Sequence, residues 1–202
     1  MFIGITQRLI CNQNYFEERE ALALDWGRLF NLNLFSGFLP LPLSYEIDFN
    51  IYEKHLNAVI LSGGNDLSIY DHSILSQKRD AYERKIIEYC LKTNTPLLGI
   101  CRGAQMIAHY FGSSLNSCMN HIGHHEIIFD DVNYMVNSFH NYAIVNLGED
   151  LISLAKANDE SIEAFKHKDK NIYGIMWHIE RENGLENISI LKKWLDLIKE
   201  KK

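Results

Sequence analysis

Long hydrophobic runs are missing from this chain, and so is any surplus of positive charge. None of the apolar stretches in its 202 residues approaches the roughly 20 residues that a membrane-spanning helix needs, so no membrane span is expected. Twenty Lys and Arg stand against 26 Asp and Glu, a net charge of −6. That balance argues against a general binder of nucleic acid or anionic membrane, while leaving room for a local basic pocket. Cysteine is scarce and scattered: Cys11, Cys90, Cys101 and Cys118 include no Cys-x-x-Cys pair. Such spacing is not a disulfide framework and fits reduced thiols. The N-terminal MFIGITQR has no basic lead before its apolar residues, so a secretion signal is not expected and the protein is placed in the cytoplasm. Repeats, linkers and low-complexity segments are also absent, which predicts one domain over residues 1–202.

What is present alternates between strand and helix patterns. Phe2 to Thr6 reads as a buried strand, followed by a polar loop from Gln7 to Tyr15 that carries Arg8. Phe16 to Phe30 fits a helix loosely, with acidic residues first and Ala21, Leu24, Trp26 and Leu29 on one side. The Leu-Pro-Leu-Pro-Leu run at 39–43 must be extended, because proline forbids helix and pushes its predecessor to extended geometry. Ala58 to Leu61 predicts a short strand feeding a glycine-dependent loop, Ser62-Gly63-Gly64-Asn65-Asp66. A helix is predicted from Ser76 to Thr93. After Gly112, short runs at 126–129, 134–136, 162–165 and 172–177 predict smaller, partly antiparallel strands, and 184–201 a terminal amphipathic helix. The fold expected is α/β: a mostly parallel central sheet with helices on both faces, plus a smaller partly antiparallel sheet.

The chemistry concentrates in Pro96-Leu97-Leu98-Gly99-Ile100-Cys101-Arg102-Gly103-Ala104-Gln105. An apolar strand runs into an amphipathic helix through Gly-x-Cys-x-Gly, the cysteine form of a strand–turn–helix nucleophile elbow. In so sharp a turn the positions two before and two after the nucleophile come close, so side chains at Gly99 and Gly103 would collide. Cys101 would stand at a helix N-terminus, where the dipole favours thiolate. A thiolate that attacks a carbonyl needs a base and a group to orient that base. His178 ends an apolar strand, and Glu180 follows two residues later. If the chain stays extended, both side chains lie on one side of it.

Gly-Ile-Cys-Arg-Gly-Ala-Gln at 99–105, Ser-Gly-Gly-Asn-Asp at 62–66, Asn-Ser-Phe-His at 137–140 and Trp-His-Ile-Glu at 177–180 together resemble class I glutamine amidotransferase domains, in the γ-glutamyl hydrolase branch. The motifs keep the family's order and span most of the chain. The resemblance implies a catalytic triad of Cys101, His178 and Glu180, and an oxyanion hole from the backbone N–H groups of Gly64 and Arg102. It implies that Asn65, Gln105, Ser138, Phe139 and His140 hold the glutamyl end of a substrate. The chain departs from the family at Ile179, usually proline, and at Met176, usually glutamine. Within the branch, Glu17 to Trp26, Ala164 to His167 and Met176 to Gly184 resemble a hydrolase whose substrate is a nucleotide conjugate.

That substrate directs attention to basic and imidazole groups expected to rim the site: Arg8, Arg102, the histidines of 121–125, Lys166, His167 and Arg181. Arg8 in particular is expected to meet a diphosphate. His121, His124 and His125 lie near Cys118, but their spacing matches none of the usual structural zinc patterns. No metal and no cofactor are therefore expected, nor an obligate protein partner. Two other classes stay open: a glutaminase subunit that passes ammonia to a synthetase, and a catalytically inert binding or redox-sensing module of the same fold.

Overall fold

The computed structural model describes residues 1–12, 14–119 and 121–200. The first half contributes strands β1 (Phe2–Thr6), β2 (Arg8–Cys11) and β3 (Glu18–Ala21), then helix α1 (Leu24–Phe30) and, past a 3₁₀ turn at Asn33–Phe35, strand β4 (Leu39–Leu43). Helix α2 (Phe49–Glu53), strand β5 (Ala58–Leu61) and helices α3 (Ser68–Asp71) and α4 (Ile74–Thr93) lead to strand β6 (Leu97–Ile100) and helix α5 (Arg102–Tyr110). The second half is mostly strands: β7 (Ser114–Ser117), β8 (Ile122–Phe129), β9 (Val132–Phe139), β10 (Tyr142–Asn146) and β11 (Leu151–Ala157). Strands β12 (Ile162–His167) and β13 (Ile172–Ile175) and helix α6 (Ser189–Glu200) complete it.

Among the described residues one mixed sheet of eleven strands organises the chain, in the order β4-β1-β5-β6-β13-β12-β11-β8-β9, with β10 and β7 branching from β12. From β4 to β13 every pairing is parallel. Alternation sorts each parallel strand between two cores. Ile60, Leu98 and Ile100 face α1 and α6 on one side; Val59, Leu61 and Leu97 face α4 and α5 on the other. Helix α6 buries Ile190, Leu191, Trp194, Leu195 and Ile198 at helical spacing, each contributing about 1.5–3 kcal/mol by transfer. Strand β4 tolerates Pro40 and Pro42 because it is the sheet's edge, where a missing N–H costs no ladder bond.

The antiparallel strands expected after Gly112 are present and extend the same sheet through β13·β12. The separate two-stranded sheet is formed by β2 and β3. This corrects two sequence expectations: the loop at 7–15 contains a strand, and 16–30 is a strand followed by a short helix rather than one helix. The apolar spacing there served only α1, whereas Glu20 in β3 accepts hydrogen bonds from the backbone N–H of Tyr45 (2.6 Å) and the Ser44 hydroxyl (2.9 Å). Those tertiary acceptor contacts hold the acidic stretch in extended form. Between β8 and β9, Asp130 and Asp131 both take positive φ (50° and 60°), as a two-residue hairpin turn requires. No helix among the described residues is long and apolar enough to cross a membrane.

Candidate active site

Three neighbouring parallel strands, β5, β6 and β13, end at the same edge of the sheet, where open α/β sheets place their ligands. The Ser62–Asn65 loop follows β5, Cys101 follows β6, and His178 comes three residues after β13. Cys101 sits at φ 52°, ψ −110° immediately before α5. A non-glycine residue in that region carries strain of about 1–3 kcal/mol, which the surroundings must hold in place. They do so through two glycines. A Cβ on Gly99 would lie 2.6 Å from the backbone of Gly103 and Ala104, as the elbow pattern predicts. A Cβ on Gly103 would instead strike the Leu61 carbonyl oxygen of β5 at 2.0 Å. The second glycine thus lets α5 approach the neighbouring strand.

His178 and Glu180 pair closely, with Nδ1 2.6 Å from Oε1. The geometry that pairs them differs from the one expected. Strand β13 stops at Ile175, and 178–181 is a turn in which Arg181 N–H donates to the His178 carbonyl at 3.2 Å. Asn137 in β9 fixes that turn: its Oδ1 accepts from the His178 N–H (2.9 Å) and its Nδ2 donates to the carbonyls of His178 (2.9 Å) and Glu182 (2.8 Å). Gly184 lets the chain fold back, since a Cβ there would lie 2.0 Å from the His178 carbonyl oxygen. Ile179, in the place of the family's proline, is buried in the core. Burial alone would lower the His178 pKa, but contacts with Cys101 and Glu180 outweigh it and raise the value to about 9. Those contacts favour the imidazolium form at neutral pH. A Cβ on Gly63 would lie 2.8 Å from His178 Cε1 and 3.5 Å from Cys101 Cβ, so that glycine leaves cysteine and histidine room to meet.

The loop after β5 is held from below by an arginine that sequence reading missed. Arg79 of α4 is fully buried and donates to the carbonyls of Ser62 (2.7 Å), Gly63 (3.1 Å) and Gly64, and to Asn65 Oδ1 (3.2 Å). Its Nε donates to Glu83 Oε1 at 3.0 Å, and Glu83 also pairs with Arg102, which in turn pairs with Asp80. Burial and the neighbouring Arg79 push Arg102 down, to about 9, against the pull of Asp80. Such a buried network loses about 3–5 kcal/mol when one partner is removed, because a charge is then left uncompensated. The i,i+4 pair Arg79/Glu83 was visible as a charged helix face, but that spacing is as common on solvated faces.

Around Cys101 lies a cleft of about 360 Å³, lined by Arg8, Gly64, Gln105, Phe139, His140 and Arg181 among others. Gln105 Nε2 donates to the Tyr142 carbonyl (2.8 Å), and Phe139 meets His178 edge to face at 5.7 Å. Asn65 also lines the cleft, while its amide bridges both backbone groups of Leu9 at 3.0 Å and so docks the β2–β3 hairpin. That docking lays Arg8 against Gly64, whose added Cβ would lie 2.8 Å from Arg8 Cδ. Ser138 is buried, its hydroxyl donating to the His121 carbonyl at 2.6 Å. Beyond Arg8 a second cleft of about 260 Å³ continues over Ile10, Leu22, Ala23 and Trp26.

Of the expected basic rim, Arg8 and Arg181 line this cleft; the others do not serve it as charges. The Arg102 guanidinium is consumed by Asp80 and Glu83, leaving only its backbone N–H at the start of α5 for the site. His121 and His125 turn toward Glu163 inside the antiparallel strands. Lys166 and His167 sit at the opposite edge, because β12 runs against β13 and its C-terminal end lies beside the start of the parallel strands. His167 Nδ1 there accepts from the N–H groups of Asp169 and Lys170.

Comparison with known proteins agrees with this fold. Residues 28–197 match the glutamine amidotransferase class-I family. The chain is 66% identical over 200 residues to a gamma-glutamyl-CDP-amidate hydrolase of Campylobacter jejuni, covering 99% of this chain and 100% of that protein. It is 30% identical over 191 residues to a glutamine-hydrolyzing GMP synthase of Brachyspira hyodysenteriae, covering 84% of this chain and 35% of that longer protein. Among solved structures, a glutamine amidotransferase from Thermotoga maritima superposes with a TM-score of 0.67 at 19% identity, over 99% of this chain and 83% of that one. That level of identity speaks for the fold alone.

Proposed function

This chain belongs to the class I glutamine amidotransferase family, and from that premise we propose that it is a cysteine-dependent hydrolase releasing L-glutamate from a γ-glutamyl amide. Its substrate on this reading is γ-glutamyl-CDP-amidate, and its other product CDP-amidate (cytidine diphosphoramidate), a nucleotide-activated phosphoramidate for capsule modification. The observation that carries the chemistry is Cys101 at a strained elbow, facing an imidazole that Glu180 orients on a turn fixed by Asn137. The 66% identity over the full chain carries the choice of substrate.

In this mechanism the Cys101 thiolate attacks the γ-carbonyl. The backbone N–H groups of Gly64 and Arg102 take the developing oxyanion, and one such donor is worth on the order of 10²–10³ in rate. Protonated His178 gives its proton to the leaving nitrogen, and a γ-glutamyl thioester remains. The now neutral imidazole activates water, which releases glutamate. The bond broken is carbon to nitrogen, so the diphosphate is bound but not attacked. Gln105 and Phe139 would hold the glutamyl end, with Asn65, Ser138 and His140 supporting the loop and strands that carry them. The diphosphate would cross Arg8 and Arg181 toward the apolar cleft at Trp26. The test is whether the purified chain alone releases glutamate and CDP-amidate from this substrate; no release would overturn the reading.

Two further results are expected. Arg8→Ala should raise KM for the nucleotide substrate several-fold more than for a plain γ-glutamyl amide, since only the former carries phosphates; equal effects in steady-state assays would count against a diphosphate contact. The second concerns pH. His178 is raised from its ordinary value near 6.5 to about 9, so its charged-state interactions are complete below 6.5 and are lost as pH rises through 9. The kcat/KM profile should accordingly fall with an alkaline limb near pH 9, as the proton for the leaving nitrogen disappears. Glu180→Gln removes one of the groups that hold the imidazolium and should shift that limb to lower pH. A limb that stays in place would show that Glu180 does not tune the histidine.

The likeness to a glutamine-hydrolyzing GMP synthase supports a second reading, in which the chain is a glutaminase that feeds ammonia to a synthetase. On that reading it should be nearly silent until the synthetase is added. We place the enzyme in the cytoplasm and assign it no obligate protein partner.

A further inference from the structure

We propose that His121, His125, His140 and Glu163 form a closed site for one zinc ion inside the antiparallel strands, separate from Cys101. His121 immediately precedes β8 and His125 lies within it, on the same face of the strand. His140 follows the end of β9, and Glu163 comes from β12. Their inward atoms converge. His121 Nδ1 is 3.4 Å and His140 Nε2 3.5 Å from Glu163 Oε1, and His125 Nε2 is 3.4 Å from Oε2. All five of these atoms are buried and none makes a hydrogen bond among the described residues. Burying so many polar atoms unsatisfied at one point is costly unless something sits between them.

The outer nitrogens say which tautomers are present. His121 Nε2 lies 3.0 Å from the Asp159 carboxylate, and His140 Nδ1 lies 3.1 Å from the Tyr142 carbonyl. Both acceptors can only accept, so those nitrogens carry hydrogen. In a neutral ring the opposite nitrogen then presents a lone pair to Glu163. A carboxylate or carbonyl behind each ligating histidine is the arrangement that orients imidazoles onto zinc. The 3.4–3.5 Å contacts with Glu163 are near the separation of about 3.3 Å between two ligands on one ion with metal–ligand bonds of about 2.0–2.1 Å. The ligand atoms of His121, His125 and Glu163 all lie within 4.8 Å of one another, and His140 joins them through Glu163 Oε1.

Three imidazoles and a carboxylate form a borderline nitrogen–oxygen donor set that suits zinc. Cys118 stays outside it: its Sγ lies 3.8 Å from His140 Nδ1, the nitrogen already committed to Tyr142. His124 is also outside, at 3.2 Å from Asn183 Nδ2. With four protein ligands the ion would be structural. It would tie β8 and β12 to the strand segment 137–142, which carries Asn137 behind His178 and His140 beside the cleft.

The protein, made without a histidine tag, should hold about one zinc per chain after desalting, measured by mass spectrometry of the metal. Cobalt substitution should give the intense visible absorption of tetrahedral Co²⁺. Glu163→Gln and His125→Ala should fall below about 0.1 zinc per chain, and Asp159→Asn should weaken zinc affinity about 10–100-fold. A chelator should lower the Tm of the unaltered protein and leave Glu163→Gln unmoved. If the unaltered protein, incubated with zinc and desalted, holds no more than about 0.1 per chain and gives no tetrahedral cobalt spectrum, the proposal fails, whether or not the variants fold. The cluster would then be a carboxylate neutralised by protonated histidine.

Discussion

Replacing Cys101 by Ala should lower glutamate release by roughly 10³-fold or more and leave the fold intact. No other side chain lining the cleft among the described residues can supply a nucleophile of comparable strength, and the remaining oxyanion donors would only bind and polarise. The substitution removes only Sγ and leaves the β-carbon of a residue that is 6% exposed within the core, so the thermal midpoint should change little. His178→Ala should be nearly as severe, because the same ring delivers and recovers the proton. The two losses should not add, since nucleophile and base act as one unit. Mass spectrometry should detect a γ-glutamyl adduct on the unaltered chain during turnover and none on Cys101→Ala. Full activity in Cys101→Ala would end the mechanism, and with it every role assigned around the elbow.

The choice between leaving groups should be as large. For γ-glutamyl-CDP-amidate, kcat/KM should exceed that for glutamine by at least about 10³, or about 4 kcal/mol. Glutamine fills only the cleft at Cys101. On the proposed reading it would leave Arg8 and Arg181, which line that cleft, without a diphosphate, and the apolar surface at Ile10, Leu22 and Trp26 without a nucleoside. A charged hydrogen bond lost in this way is worth about 1.5–3 kcal/mol, and two of them with the apolar contact account for the gap. Raising ionic strength should narrow it, because the arginines lie at a solvent-facing cleft. Comparable kcat/KM for the two substrates would return the protein to the general γ-glutamyl hydrolases.

Much of this was legible in the chain itself, and the reason is that the elbow is a local structure. Gly99, Cys101 and Gly103 specify a strand–turn–helix within a few residues, and the strain at Cys101 is set by that spacing. The parallel strands β1, β5 and β6 were equally readable, because burial on both faces leaves continuous apolar runs. The β2–β3 hairpin was not, since its exposed, polar strands are held by Asn65 and by contacts from Ser44 and Tyr45 far along the chain. The pairing of His178 with Glu180 was expected from an extended chain and is made by a turn that Asn137, 41 residues away, holds in place.

Charge was the least legible property. Arg102 and His121 read as candidates for a phosphate-binding rim, yet both are buried against carboxylates from other elements. Glu163 carried no local signal at all, and a spacing rule applied to 118–125 could not include a ligand from β12 or His140 past β9. Sequence alone determined the elbow at Cys101, the order of the motifs and the strands that carry them, because these depend on neighbours within a few residues. Only the tertiary structure decided which charges face the cleft and which neutralise one another inside, because a side chain's electrostatic partner is set by which strands lie side by side.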